Sequence, residues 1–125
     1  MINRVILAAL ALVLGTIGAG SAFVPAAFYE SFGISIDGLP DLASELRGTG
    51  VALLLIAVAI GVGAVWSRWA FPAAVAGGLV MLGYAVGRGI AALADGVPSQ
   101  AVILAGAVEL VLAAAAAVVA VRTRP

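Results

Sequence analysis

Residues 71–121 read FPAAVAGGLVMLGYAVGRGIAALADGVPSQAVILAGAVELVLAAAAAVVAV. Two apolar runs, 73–94 and 101–121, are separated only by a short segment containing Asp95, Gly96, Val97, Pro98 and Ser99. Each run reaches the ~20 residues an α-helix needs to cross the hydrocarbon core of a bilayer. Both are too long for core strands, and alanine and leucine dominate over aromatics. Backbone groups in lipid must be satisfied within their own segment, so helix is the spanning form for such runs. Pro72 falls where a proline suits the first helical turn, and Gly96 is available to end the preceding helix. The stretch therefore predicts a transmembrane helical hairpin with a tight turn.

Two more apolar runs lie upstream, at 5–24 and 46–66, the first ended by Pro25. The chain is predicted to be a single all-α domain over residues 1–125, a four-transmembrane-helix bundle. Composition agrees: 65% of residues are hydrophobic, only 10% are charged, and mean hydropathy is +1.27. Soluble domains are about half apolar and about a quarter charged. There is no Cys or His, and all six basic residues are Arg. Thiol chemistry, disulfides, iron–sulfur ligation and lysine Schiff bases are excluded, and the commonest haem and zinc ligand is missing. No cofactor or metal is expected. The formal net charge is zero, and no basic patch points to nucleic acid. Met1, Ile2, Asn3 and Arg4 before an apolar run, with Gly20, Ser21 and Ala22 near its end, also allow a cleaved signal peptide. The run is long for one, and four spans are the preferred reading.

The connections differ in character. Residues 26–33 are expected to form a short interfacial helix between spans one and two. Phe28 and Phe32 lie four apart on one face, and Tyr29 suits the headgroup level. Asp37, Gly38, Leu39, Pro40 and Asp41 are turn chemistry, with Asp41 a candidate cap for the second span. Trp66, Trp69 and Phe71 form an aromatic anchor between spans two and three. Arg4, Arg68, Arg122 and Arg124 share one side of a four-span chain; Glu30, Asp37, Asp41, Glu45 and Asp95 share the other. The positive-inside rule puts the arginine side, with both termini, in the cytoplasm. The expected location is the bacterial cytoplasmic (inner) membrane. Ala11, Gly15 and Ala19, and likewise Gly83 and Gly87, repeat at the four-residue spacing that lets helices approach closely in lipid.

Three charges lie where charge is costly. Arg88 and Glu109 are inside spans three and four, and Arg47 is just inside span two, beside Glu45. Intramembrane ionisable residues face the bundle interior or a cavity and mark sites by default. Arg88 lies ~9 Å and Glu109 ~12 Å from the same end of a hairpin, at 1.5 Å rise per residue. They are at similar depth and can meet. Glu109 shares its face with Val102, Ala105, Gly106, Ala113 and Ala116, whereas Leu104, Val111 and Val118 suit lipid. Tyr84 and Met81 share a face with Arg88. The candidate constellation is Glu45, Arg47, Tyr84, Arg88, Asp95 and Glu109, in the outer half of the membrane. The plainer reading is an ion pair that fixes helix register. On that reading Asp95 belongs to a turn, Glu45 and Arg47 are interfacial anchors, and Tyr84 faces lipid.

Several motifs carry a resemblance. They are Phe23-Val24-Pro25, Phe28-Tyr29-Glu30-Ser31-Phe32-Gly33, Ser44-Glu45-Leu46-Arg47-Gly48-Thr49-Gly50, Gly83-Tyr84-Ala85-Val86-Gly87-Arg88, Asp95-Gly96-Val97-Pro98 and Glu109-Leu110. Over nearly the whole chain, this pattern resembles a bacterial family of small four-helix membrane proteins, domain-of-unknown-function family 4345. The resemblance implies four retained spans and points to Arg47, Tyr84, Arg88, Asp95, Gly96 and Glu109. It implies no activity. The family is loosely similar to other small four-helix membrane proteins with quinone or redox partners, and fold does not imply function.

Four functions fit the chain to different degrees. In the first, the cluster binds a lipid or other amphiphile under a lid made by the interfacial helix, with Arg47 and Arg88 gripping an anionic headgroup. In the second, the chain is a structural or accessory subunit whose small-residue faces mate in a homo-oligomer or larger membrane complex. In the third, Glu109 or Asp95 is a general acid or base. No nucleophile setting, metal-ligand set or phosphate loop supports an enzyme. A transporter ranks below it as a fourth, since four spans are few and no discontinuous helix is evident.

Overall fold

The computed structural model describes residues 1–125. The elements are α1 (Ile2–Phe23), α2 (Pro25–Glu30), α3 (Pro40–Val65), a 3₁₀ turn at Ser67–Trp69, α4 (Ala70–Ala94) and α5 (Gln100–Thr123). No strand is present. The four long helices each meet the length and hydropathy needed to cross a membrane. The fold is thus all-helical and multi-pass.

The bundle is two antiparallel hairpins. α1 packs most closely on α3, and α4 on α5; α3 meets α4 and α1 meets α5, closing a ring in chain order. α1 also reaches α4 across the centre, while the backbones of α3 and α5 stay apart. Leu7, Leu10 and Leu14 of α1 are fully buried with Ile60, Met81, Ala116 and Val119. The segment that competes for a signal-peptide reading is therefore a wall of the core.

Close approach in lipid depends on van der Waals packing of small residues, because tails are as apolar as leucine. The tightest crossing is α1 on α3 at Gly18 and Gly50. A Cβ on Gly18 would come within 2.8 Å of the Gly50 carbonyl oxygen. One on Gly50 would come within 2.7 Å of the Gly18 carbonyl oxygen. Of the α1 residues repeating at four-residue spacing, Gly15 is in ordinary contact only, since a Cβ there would meet Ala57 at 3.7 Å. Gly83 and Gly87 have nothing within 4 Å of a built Cβ, so they face open space and carry no helix contact.

Two boundaries differ from expectation. α3 starts at Pro40, ahead of its apolar run. Proline at the first position and Asp41 in the first turn, where the helix dipole favours an acid, extend it beyond the hydrocarbon span. Asp41 is consequently inside the helix, and the cap position is Leu39, with no side-chain cap bond. α2 is shorter than 26–33. Gly33, at φ +77°, reverses the chain, with Gly33 N–H donating to Glu30 O at 2.8 Å and Ile34 N–H to Tyr29 O at 3.0 Å. This Schellman ending folds Ile34 back against α2.

Candidate functional site

The functional geometry lies at the end of the bundle where α1 passes into α2 and α4 turns into α5. Arg88, on α4, donates from Nε to Glu109 Oε2 at 2.8 Å and from Nη2 to Oε1 at 2.9 Å. This planar two-bond pairing is the strong form of an arginine–carboxylate contact. Glu109 is 4% exposed, whereas the Arg88 side chain is 33% exposed. Gly106, one turn before Glu109, lets α4 come close: a Cβ there would sit 3.4 Å from Arg88 Cδ. On the far side of α5, Leu104 and Val111 are exposed, as a lipid face requires.

The pair forms part of the wall of a groove of about 700 Å³. α1 contributes Val13 and Ile17, α4 contributes Leu79 to Ala91 at helical spacing, and α5 contributes Val102, Ala105 and Val108. Thirteen of the 17 lining residues are hydrophobic, and Arg88 and Glu109 are the only charged ones. Gly83 and Gly87 hollow out the α4 wall, since neither faces another atom that a side chain would displace. Tyr84, half-buried between them, stands one turn from Arg88 on the same face.

α2 covers one side of the groove with Phe28, Tyr29 and Phe32, and Ile34 follows from the Schellman turn. Phe28 meets Tyr29 and Phe32 edge-on, with ring centroids 5.3 and 5.5 Å away. Tyr29 OH shares a hydrogen bond of 3.1 Å with Ser21 Oγ, which pins α2 to the end of α1. Gly20 makes this seat: any Cβ there would collide with the Phe28 ring.

Three of the residues grouped by depth stand elsewhere. Arg47 does not join the pair. Its Nη1 donates to the carbonyls of Ala22 at 2.6 Å and Phe23 at 3.3 Å, where a cation satisfies the open carbonyl end of α1. Glu45 is exposed and forms no side-chain bond. Asp95 is the exposed C-cap of α4, and Gly96 beside it takes φ +108° to make the turn. Depth along a helix cannot separate these residues from the groove, because it ignores which way each helix face is turned. Of the apolar liners, Val102 shares the face of Glu109, whereas nothing singles out Val13, Ile17 and Val108, because valine and isoleucine are unremarkable in any span. The four-residue spacing of Val13 and Ile17 is the signal for the α1 side of the groove.

Residues 2–120 match the family described as a domain of unknown function, DUF4345. The chain belongs to that family. The match takes in all four long helices except the last residues of α5, so the paired charges, α2 and the groove all fall within the DUF4345 region. No curated protein and no solved structure matches the chain.

Proposed function

We propose that this DUF4345 protein binds a lipid or other amphiphile in the groove between α1 and the α4–α5 hairpin. The observation that carries this reading is the placement of Arg88 and Glu109. A pair serving only to lock two helices belongs in a dry, filled contact. This one opens onto an apolar groove whose volume lies within the range of ~300–1,000 Å³ usual for ligand pockets. A long apolar wall with a few convergent polar groups is what an amphiphile requires.

We further propose that the site lies in the outer leaflet of a bacterial cytoplasmic membrane. Arg4, Arg68, Arg122 and Arg124 are at the opposite end of the helices, and Arg68 stacks on Trp69 at 5.4 Å. The positive-inside rule then puts both termini in the cytoplasm and α2 outside. The chain lacks cysteine, which makes the orientation easy to read. A cysteine replacing Ser31 or Ser99 will react with an impermeant maleimide on intact cells, and one replacing Thr123 only after lysis. The reverse pattern would move the groove to the inner leaflet.

Binding is tested by native mass spectrometry with lipid identification on protein purified in mild detergent. A specific amphiphile is expected on the wild type. It is lost from Arg88→Ala, which strips the polar wall, and from Gly20→Leu, which drives Phe28 out of its seat. Wild type carrying only the bulk lipid mixture would sink the binding reading.

The second reading, an accessory subunit, has its own support. A separate apolar depression on the outward α4–α5 face, about 480 Å³, is lined by Ala74, Gly78, Ala113, Ala114 and Ala117 among others. Small residues of that kind accept a neighbouring helix. This surface fits a homo-oligomer or a larger membrane complex, and it leaves the groove free.

A further inference from the structure

The charge arithmetic of the groove narrows the class of ligand, on the premise that the groove binds an amphiphile. An anionic headgroup needs at least one arginine with charge to spare. Arg47 is committed to the end of α1, and Arg88 is matched by Glu109 through both carboxylate oxygens. No other charged side chain lines the groove, so its formal charge is zero. Adding an anion would place an uncompensated charge beside apolar walls, and a cation would meet the same penalty.

The pairing still leaves hydrogen-bond donors. Arg88 uses Nε and Nη2 on Glu109, and Nη1 has no partner in the chain. The Tyr84 hydroxyl, one turn away, is likewise without one, unlike that of Tyr29. A guanidinium nitrogen only donates, and a phenol donates readily. Both belong to residues of the same groove wall. These donors call for oxygen acceptors that bring no charge.

We infer that the ligand is an uncharged amphiphile: an apolar tail with a headgroup of carbonyl, ester or hydroxyl oxygens, held by Arg88 Nη1 and the Tyr84 hydroxyl. Glu109 acts as a positioning residue and as the charge that makes the site selective. It holds the guanidinium plane and cancels its attraction for anions.

The test compares two probes with the same tail, monoolein and oleyl sulfate, by calorimetric titration of the full-length protein in an uncharged detergent. Wild type is expected to bind monoolein about tenfold more tightly, because the sulfate brings an uncompensated charge beside apolar walls. Glu109→Gln leaves Arg88 uncompensated and should reverse the preference toward oleyl sulfate, which a merely structural carboxylate would not do. Tyr84→Phe keeps the ring and should weaken monoolein about fivefold, the loss of one neutral hydrogen bond. Preference of the wild type for oleyl sulfate overturns the uncharged-ligand inference while leaving amphiphile binding intact. An unchanged ratio in folded Glu109→Gln, or unchanged monoolein affinity in Tyr84→Phe, overturns the assigned roles. If wild type binds neither probe, amphiphile binding itself fails.

Discussion

Gly50→Ala is expected to destabilise the protein strongly, while Gly48→Ala, two residues away on the same helix, is expected to stabilise it. Both changes replace a glycine within α3 and gain the same intrinsic helix preference, about 1 kcal/mol. They differ only in what the new methyl meets. At position 48 nothing lies within 4 Å; at position 50 the methyl runs into the Gly18 carbonyl and the backbone of Ala22. Those are backbone atoms, and no rotamer change moves them aside. Overpacking of a core costs about 1–3 kcal/mol, and a clash with rigid main chain belongs at the upper end or above. Opening the crossing also draws α1 away from Arg47, whose bonds to Ala22 and Phe23 close the same end of the hairpin. Thermal unfolding of the two variants in one detergent checks this. Shifts of the same sign would show that α1 and α3 do not meet at these glycines.

The architecture was legible in the sequence because its causes are local. Each span announces itself by length and hydropathy, and the turns by Asp95, Gly96 and Pro98. The inward aim of Glu109 was legible too, since Ala105, Gly106, Ala113 and Ala116 share its face and only small residues permit close packing there. The contact crossing was not, because small-xxx-small spacing recurs throughout an alanine-rich chain. Choosing Gly18 and Gly50 over Ala11, Gly15 and Ala19 requires knowing how α1 and α3 are rotated. The same ignorance of rotation placed Arg47 with Arg88. Both enter the membrane from one end, but α3 turns Arg47 toward the carbonyls of α1, and α4 turns Arg88 toward α5. Gly83 and Gly87 show the ambiguity from the other side. A missing side chain either admits a helix or leaves a hollow, and the sequence looks the same in both cases.

Arg88→Met is expected to cost more stability than Glu109→Gln, and combining Arg88→Met with Glu109→Leu should restore most of the loss. The asymmetry follows from burial. Removing Arg88 strands a carboxyl group that is 4% exposed, and breaking a buried pair in that way costs about 3–5 kcal/mol. Removing the charge of Glu109 strands a guanidinium whose side chain is a third exposed and long enough to bend toward the membrane surface. The amide also keeps one oxygen as an acceptor, so the cost falls to about 1–3 kcal/mol. The double replacement removes both desolvation penalties together, and apolar residues of similar volume often equal or exceed a buried ion pair in stability. Unfolding free energies of the wild type, the two singles (Arg88→Met and Glu109→Leu) and the double variant therefore form a cycle with a large favourable coupling. Simple additivity of the two losses would contradict the two-bond geometry. The double variant also separates the two roles a buried pair can have. If it is as stable as the wild type yet no longer retains an amphiphile, the charges are kept for binding, because stability alone can do without them. If it is stable and binds unchanged, the polar wall of the groove is dispensable, and the α4–α5 surface becomes the place to look for function.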